Sequence, residues 1–216
     1  ECENNEIIMF SAGEEGDICF WRPNLGTFVI GGFMKGHVDS VTHLKAVGPL
    51  IWSCSNDRTI RVWDAKNFTC IGILGPASLK TDIDFPTSIA GPISIEGESG
   101  EYMVTGHNNN YLYVWNATTG AKVHEKKHSS KPSSLGFFQF SNSGPILIIG
   151  SEDGTIQIRD FPGFNLAFQI LCSPKHYEVN VARIILPMVL AGPALYFISA
   201  GDDAMVRIWK LELENA

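Results

Sequence analysis

The sequence lacks the features that would place it in a membrane. No uninterrupted apolar stretch reaches the 18 or more residues that a membrane-spanning helix requires. The chain opens with ECENNE, without a methionine and without the basic and then apolar residues of a secretory leader. We therefore expect an intracellular protein, cytoplasmic or nuclear, that does not bind a membrane.

Cysteine and positive charge are also scarce. The five cysteines are odd in number and none is spaced as C-x-x-C, which favours reduced thiols over disulfides. The 16 Lys and Arg residues against 23 Asp and Glu residues leave a net charge of −7. Because a general nucleic-acid binder presents a basic face to phosphate groups, we expect no direct binding to nucleic acid.

Motifs for catalysis, metals and cofactors are missing as well. The sequence has no phosphate loop and no Gly-rich nucleotide motif. His124 and His128 have the i, i+4 spacing of a helical zinc pair, but their segment, AKVHEKKHSS, has the pattern of a strand that runs into a loop. Solvated polar surface is the favoured interpretation of both histidines. We expect no metal and no cofactor.

What the sequence does contain is a repeated hairpin, most regular in SCSNDRTIRVWD between Ser53 and Asp64. Asn56-Asp57-Arg58 predicts a tight turn, because short Asn and Asp side chains bond the nearby backbone and tolerate unusual φ angles. The following strand alternates, with Ile60 and Val62 on one face. The segment therefore predicts two antiparallel strands.

The hairpin occurs five times. Its copies are anchored at Trp21, Trp63, Trp115, Arg159 and Trp209, with spacings of 42, 52, 44 and 50 residues. Four of the five copies carry a hydroxyl side chain ten residues before the anchor, and all five carry a turn-compatible residue six before it. Internal repeats of this period indicate stacked blades or an array. No segment calls for a helix, so the fold class is all-β.

The repeats resemble the WD40 repeat, whose blades end in a strand closing with Trp-Asp and often begin with Gly-His. Trp63-Asp64 and Gly36-His37 carry these dipeptides. The resemblance covers nearly the whole chain and implies a β-propeller of four-stranded antiparallel blades around a central channel. We expect a single domain or fragment over 1–216, with the third strands of its five blades ending at the five anchors.

The strand inventory predicts an incomplete ring. Nothing before the first hairpin supplies an inner strand, and only LELENA is available as the last outer strand. Closure removes the exposed sheet edges, and the resemblance implies seven blades, so we expect part of a larger, seven-bladed propeller; a closed five-bladed ring is the alternative. We also expect Gly91-Pro92 to interrupt the inner strand of the third blade.

The resemblance further implies a hydrogen-bonded structural set of His, Ser or Thr, Asp and Trp in a blade. The second blade matches it with His37, Ser53, Asp57 and Trp63, and the fifth with His176, Ser199, Asp203 and Trp209. The third blade has no suitable histidine, because His107 is out of register, and the fourth, with Ile149 and Arg159, lacks the set.

A Ser, a His and an Asp in one module also occur in hydrolases. An active site would normally occur once and in a pocket, whereas this set recurs with a Trp attached. Buried ring N–H groups need acceptors, and a structural role for the set follows.

The hairpin turns contain eight carboxylates against one Arg. Turn preference and the structural set account for Asp57, Asp153 and Asp203. They do not account for three acids that precede the turn acid: Glu14, Glu152 and Asp202. The family arrangement implies that these turns share one face. We expect a partner to be bound there by Glu14, Asn56, Asn108, Glu152 and Asp202.

Two classes of function follow from these observations. The favoured one is a non-enzymatic scaffold that binds a protein or peptide, with a basic one fitting the acidic turns, as a subunit of a multiprotein complex. The other is an enzyme housed in a propeller. A third interpretation, an RNA-associated scaffold, comes from IRDFPGF after the fourth copy, which is similar to plant proteins that join a CCCH zinc finger to WD40 repeats.

Overall fold

The computed structural model describes residues 7–24, 27–75, 84–95, 97–139, 144–171, 182–188, 195–202 and 204–211. Within these ranges the chain forms eighteen β-strands in five antiparallel sheets and no helix, as the alternating pattern predicts. In particular, these ranges contain no helix that could cross a membrane.

Every sheet is a simple meander in which each strand pairs with the next strand along the chain. Sheet 1 contains β1 (Met9–Ala12), β2 (Ile18–Asn24) and β3 (Thr27–Met34). Sheet 2 contains β4 (Val41–Val47), β5 (Leu50–Ser55), β6 (Ile60–Asp64) and β7 (Thr69–Leu74). Sheet 3 contains β8 (Pro86–Ser94), β9 (Glu101–His107), β10 (Tyr111–Asn116) and β11 (Lys122–Lys127). Sheet 4 contains β12 (Pro132–Phe138), β13 (Ile146–Ser151), β14 (Thr155–Asp160) and β15 (Leu166–Leu171). Sheet 5 contains β16 (Ala182–Met188), β17 (Leu195–Gly201) and β18 (Val206–Leu211).

The four-stranded meander is the blade topology that the WD40 resemblance implies, and sheets 2, 3 and 4 have it in full. Sheets 1 and 5 have three strands each within the described part of the chain. In all five sheets the strand that carries the anchor residue continues one to three residues beyond it.

The prediction that Gly91-Pro92 interrupts the inner strand of sheet 3 is wrong. β8 continues from Pro86 to Ser94 through a cis Gly91-Pro92 bond, with a Gly91 φ angle of 131°. A Cβ atom at position 91 would lie 2.8 Å from the Tyr102 carbonyl oxygen on the neighbouring strand. Only glycine allows both this φ angle and this close approach, so the strand passes the site without a break.

The chain divides into two compact units, Glu1–Ile89 and Ala90–Ala216. The core of the first unit forms where sheets 1 and 2 pack together, with Ile18 and Phe20 from β2 meeting Val41 and Trp63 from sheet 2. The second unit has one core between sheets 3 and 4 and another between sheets 4 and 5. In each unit, therefore, successive sheets bury the apolar sides of their alternating strands against one another.

Candidate functional site

The hydrogen-bonded set of sheet 2 is assembled around His37, which lies in the loop before β4. Its Nδ1 atom lies 2.8 Å from Asp57 Oδ2, and its Nε2 atom lies 2.6 Å from Ser53 Oγ. The same Ser53 oxygen accepts a 2.8 Å hydrogen bond from Trp63 Nε1. The structure thus brings all four residues of the second blade into one chain of contacts.

This chain of contacts is closed to solvent. The side chains of His37 and Asp57 are 0% and 3% exposed, and Ser53 and Trp63 are buried. A Cβ atom at Gly36 would lie 3.0 Å from the Trp63 ring, so a glycine at this position allows the ring to approach the backbone closely.

Hydrogen bonds within the hairpin turn hold the Asp57 side chain in position. Asp57 Oδ1 accepts hydrogen bonds from the backbone N–H and the hydroxyl of Thr59, at 2.8 and 2.6 Å. Arg58 between them has a φ angle of 71°, in the left-handed region that such turns use. Thr59 Oγ1 also lies 3.1 Å from His37 Nδ1. Sequence reasoning missed this member of the set, although Thr155 holds Asp153 of sheet 4 in the same way.

The surroundings of Asp57 act on its pKa in opposite directions. Burial raises the pKa of this carboxyl, while hydrogen bonds from His37 and Thr59 and the attraction of His37 lower it. The lowering effects are stronger together, so the pKa of Asp57 lies below its usual range. The carboxylate is therefore ionised at neutral pH and accepts hydrogen bonds on both oxygens.

The contact between the tryptophan and the hydroxyl recurs outside sheet 2. The indole N–H of Trp21 donates to Ser11, that of Trp115 to Thr105, and that of Trp209 to Ser199, each at 2.8 Å. Each pair is separated by ten residues, the offset seen in the sequence repeats, because the anchor strand and its predecessor pair across a hairpin of constant length.

Sheet 3 corrects the prediction that the third blade has no suitable histidine. His107 is fully buried, and its Nε2 atom lies 2.9 Å from Thr105 Oγ1, the oxygen that accepts from Trp115. In sheet 2 the imidazole comes from the loop before the inner strand, whereas here it comes from the end of β9. Residues 105 and 107 lie on the same side of this strand, which brings the ring to the hydroxyl.

We expect His107→Ala to lower the free energy of unfolding by about 1–3 kcal/mol, because the buried Thr105 hydroxyl loses a partner. Lys126→Ala is the control: Lys126 is an exposed residue on β11 of the same sheet, and its substitution should cost less than about 0.5 kcal/mol. Urea denaturation of both variants measures the difference. Equal costs would mean that the contact between His107 and Thr105 contributes nothing of its own.

Sheet 4 replaces the set with a different network. Ile149 cannot accept a hydrogen bond, and Arg159 stands where the other sheets have tryptophan. Its guanidinium group donates to Gln157 Oε1 through Nε and Nη2, at 3.0 and 2.7 Å, and to the Phe164 carbonyl at 2.7 Å. The interpretation of His128 as solvated surface is wrong, since His128 is buried, with Nδ1 2.9 Å from the Ser130 carbonyl. Burial is the largest effect on the pKa of His128 and lowers it, so the ring is neutral at neutral pH.

In sheet 5 the structure describes half of the expected set. Ser199 is buried and accepts from Trp209, which is half-buried. His176 and Asp203 lie outside the described residues. Their membership of the set therefore stays a prediction.

The expected partner-binding residues differ in their environment. Glu14, Asn56, Glu152 and Asp202 are exposed, whereas Asn108 is half-buried. Two lysines outside the turns neutralise part of the acidic charge: Lys131 lies 3.2 Å from Glu152, and Lys35 lies 3.3 Å from Asp17. The turns are therefore less negative than the count of eight carboxylates indicates. Alignment of the hairpins alone could not show this, because both lysines come from loops between blades.

Comparison with known proteins gives the same fold family. The model of the WD domain, G-beta repeat (WD40), matches residues 28–64 and 121–160. The chain is 24% identical to Striatin from Mus musculus over 219 residues, which is 94% of this chain and 26% of that protein. It is 25% identical to Apoptotic protease-activating factor 1 from Danio rerio over 181 residues, which is 82% of this chain and 12% of that protein.

A third relative is named for a CCCH zinc finger. Zinc finger CCCH domain-containing protein 17 from Oryza sativa subsp. japonica is 21% identical over 219 residues, which is 98% of this chain and 45% of that protein. The chain thus spans less than half the length of each of these relatives. The two matches identify WD40 repeats over residues 28–64 and 121–160 of this chain, and the blade topology of sheets 2, 3 and 4 agrees with them.

Proposed function

We propose that this chain is a non-enzymatic scaffold within a larger protein assembly, and that exposed acidic residues in its hairpin turns bind a basic segment of a partner protein. The proposal rests on one observation: in a hairpin turn, one acidic side chain is hydrogen-bonded inside the turn while the acidic side chain before it is exposed. Asp153 is tied to Thr155 inside the turn of sheet 4, while Glu152, one residue earlier, is exposed.

The geometry of sheet 2 supports a scaffold over a hydrolase. The Ser53 hydroxyl bonds both His37 and Trp63 and is 0% exposed, so its oxygen is already engaged and no substrate can approach it. A nucleophile has to reach a reacting atom within hydrogen-bond distance. The four residues of the set therefore have a structural role: they hold the loop before β4, the hairpin turn and β6 together.

The ion pair between Glu152 and Lys131 leaves this acid available to a partner. Its side chains are 52% and 31% exposed, and exposed pairs of this kind contribute little to stability. A cationic side chain of a partner can displace Lys131 at small cost. Asp202, exposed in the corresponding turn of sheet 5, adds a second charge in the same unit.

The relatives support binding to proteins as the general role. One of them is named for the activation of a protease, which is itself a protein. The net charge of −7 supports a basic partner and weighs against direct contact with RNA.

The test compares what variants of the full-length protein capture from a cell lysate. Glu152→Lys combined with Asp202→Lys should lose partners that the unchanged protein and the control Glu101→Lys both retain. Glu101 is exposed at the start of β9, away from the hairpin turn of its sheet. For a partner found in this way, we expect affinity to fall about 3- to 10-fold at low salt and less at high salt.

The melting temperature of the double variant should stay close to that of the unchanged protein, because neither residue takes part in a core. Full affinity in the double variant would contradict the proposal. The acidic residues would then be good turn formers and no more.

A further inference from the structure

A pocket of about 240 Å³ lies between sheets 3 and 4 of the second unit. It is lined in part by Ile95 and Glu98 before β9, Tyr102 on β9, His124 on β11, and Phe161 and Phe164 after β14. The acidic turns join β9 to β10 and β13 to β14, whereas these residues lie at the other ends of those strands. The pocket is therefore separate from the surface proposed above.

The wall of the pocket contains aromatic rings that pack on one another. Phe161 and Phe164 meet edge to face, with ring centroids 5.4 Å apart, and they are only 3% and 1% exposed. The His124 ring stacks on Phe164 at 5.6 Å and faces the solvent. Flat rings that are already held in place can receive a planar or aliphatic group at little cost in conformational entropy.

The mouth of the pocket carries one carboxylate. Glu98 is exposed, and its Oε2 atom accepts a 2.5 Å hydrogen bond from the Tyr102 hydroxyl. This bond uses part of the acceptor capacity of a carboxylate, which has about four lone-pair sites on two oxygens. Among the lining residues that the structure describes, Glu98 bears the only carboxylate and His124 the only basic side chain. The Glu98 carboxylate lies beside apolar and aromatic lining residues. This arrangement complements a ligand that carries a cationic group at the end of an apolar chain.

We propose that this pocket binds one arginine side chain of a partner protein, with the guanidinium group paired to Glu98 and stacked on the His124 ring. Arginine fits better than lysine because its planar fork pairs with a carboxylate through two parallel bonds and stacks on aromatic faces. Its methylene stem packs on Ile95, Val123 and Pro162, the apolar lining residues that are more exposed than Phe161 and Phe164. A leucine or phenylalanine would fill the same wall but leave Glu98 without a charged partner.

The probe is Nα-acetyl-arginine amide, and the readout is the methyl NMR spectrum of the full-length protein. Ile95, Val114 and Val123 line the pocket and supply the reporting methyl groups. We expect the arginine probe to shift these signals and to bind about tenfold more tightly than the citrulline analogue, which has nearly the same shape without the charge. Glu98→Gln should remove most of this preference. The substitution keeps an acceptor for Tyr102, so the loop is retained.

Glu101→Gln is the matched control, because it removes an exposed carboxylate from the same segment but does not line the pocket. It should leave the preference for arginine unchanged. Three results would each overturn the proposal: no shift with any probe, equal binding of the arginine and citrulline probes, or tighter binding of Nα-acetyl-leucine amide. The last result would assign the pocket to an apolar side chain.

Discussion

Replacing Trp63 with alanine is expected to lower the free energy of unfolding by about 3–5 kcal/mol. Trp63 is 1% exposed and packs with Ile18, Phe20 and Val41 where sheets 1 and 2 meet. The substitution removes this contact, leaves a cavity, and takes one donor away from the buried Ser53 hydroxyl. Urea denaturation followed by far-UV circular dichroism measures the change.

Trp21→Ala separates burial from hydrogen bonding. Trp21 donates to Ser11 at the same 2.8 Å distance as Trp63 donates to Ser53, but it is half-exposed. If burial dominates, Trp21→Ala should cost less than half as much as Trp63→Ala. Equal costs would show that the hydrogen bond, and not the packing of the ring, supplies most of the stability.

Replacing Asp57 with alanine should cost about 1–3 kcal/mol at pH 7, because buried donors of His37 and Thr59 lose their acceptor. The cost should also depend on pH. The pKa of Asp57 is lowered in the folded protein, so its contribution is fully present above the pKa of the unfolded state, about 3.9. It is lost as the pH falls below that value towards the lower pKa of the folded state.

The unchanged protein should therefore lose stability more steeply than Asp57→Ala when urea denaturation is repeated from pH 5 down to pH 2. Asp153→Ala serves as the control, because Asp153 has the same contacts to the threonine two residues later but is exposed. Its substitution should cost less than that of Asp57. Parallel pH profiles for the unchanged protein and Asp57→Ala would contradict the role given to this carboxylate.

The periodic features of the fold could be predicted because they depend on neighbours in sequence. Alternation in TIRVW and the turn at Asn56-Asp57-Arg58 predicted β5 and β6. The resemblance to the WD40 repeat implied that a hydroxyl and a tryptophan meet in the second and fifth blades, and the structure has this contact at 2.8 Å in both. These are properties of a hairpin whose register is set by its own turn.

Other features depended on packing between elements and were missed. In sheet 2 the imidazole beside the hydroxyl is that of His37, from the loop before β4. In sheet 3 it is that of His107, from β9. The sequence pattern of one blade could not show this, because the two histidines lie at different positions in the repeat. Nor could it show that His128 is buried or that Lys131 pairs with Glu152. His128 and Lys131 lie on segments outside the repeat register, and His107 lies inside it at a position where the other four copies have Gly or Ser.

The repeats in the sequence thus determined the fold class and the hairpins, and the resemblance that they carry implied the hydrogen-bonded set of sheet 2. Tertiary structure alone decided which polar residues are buried, which charges are paired, and where a pocket forms. The physical reason is the range of the interactions. Strand alternation and turn geometry are set within about ten residues, whereas the pocket between sheets 3 and 4 needs Glu98 and Phe164 to meet across two sheets.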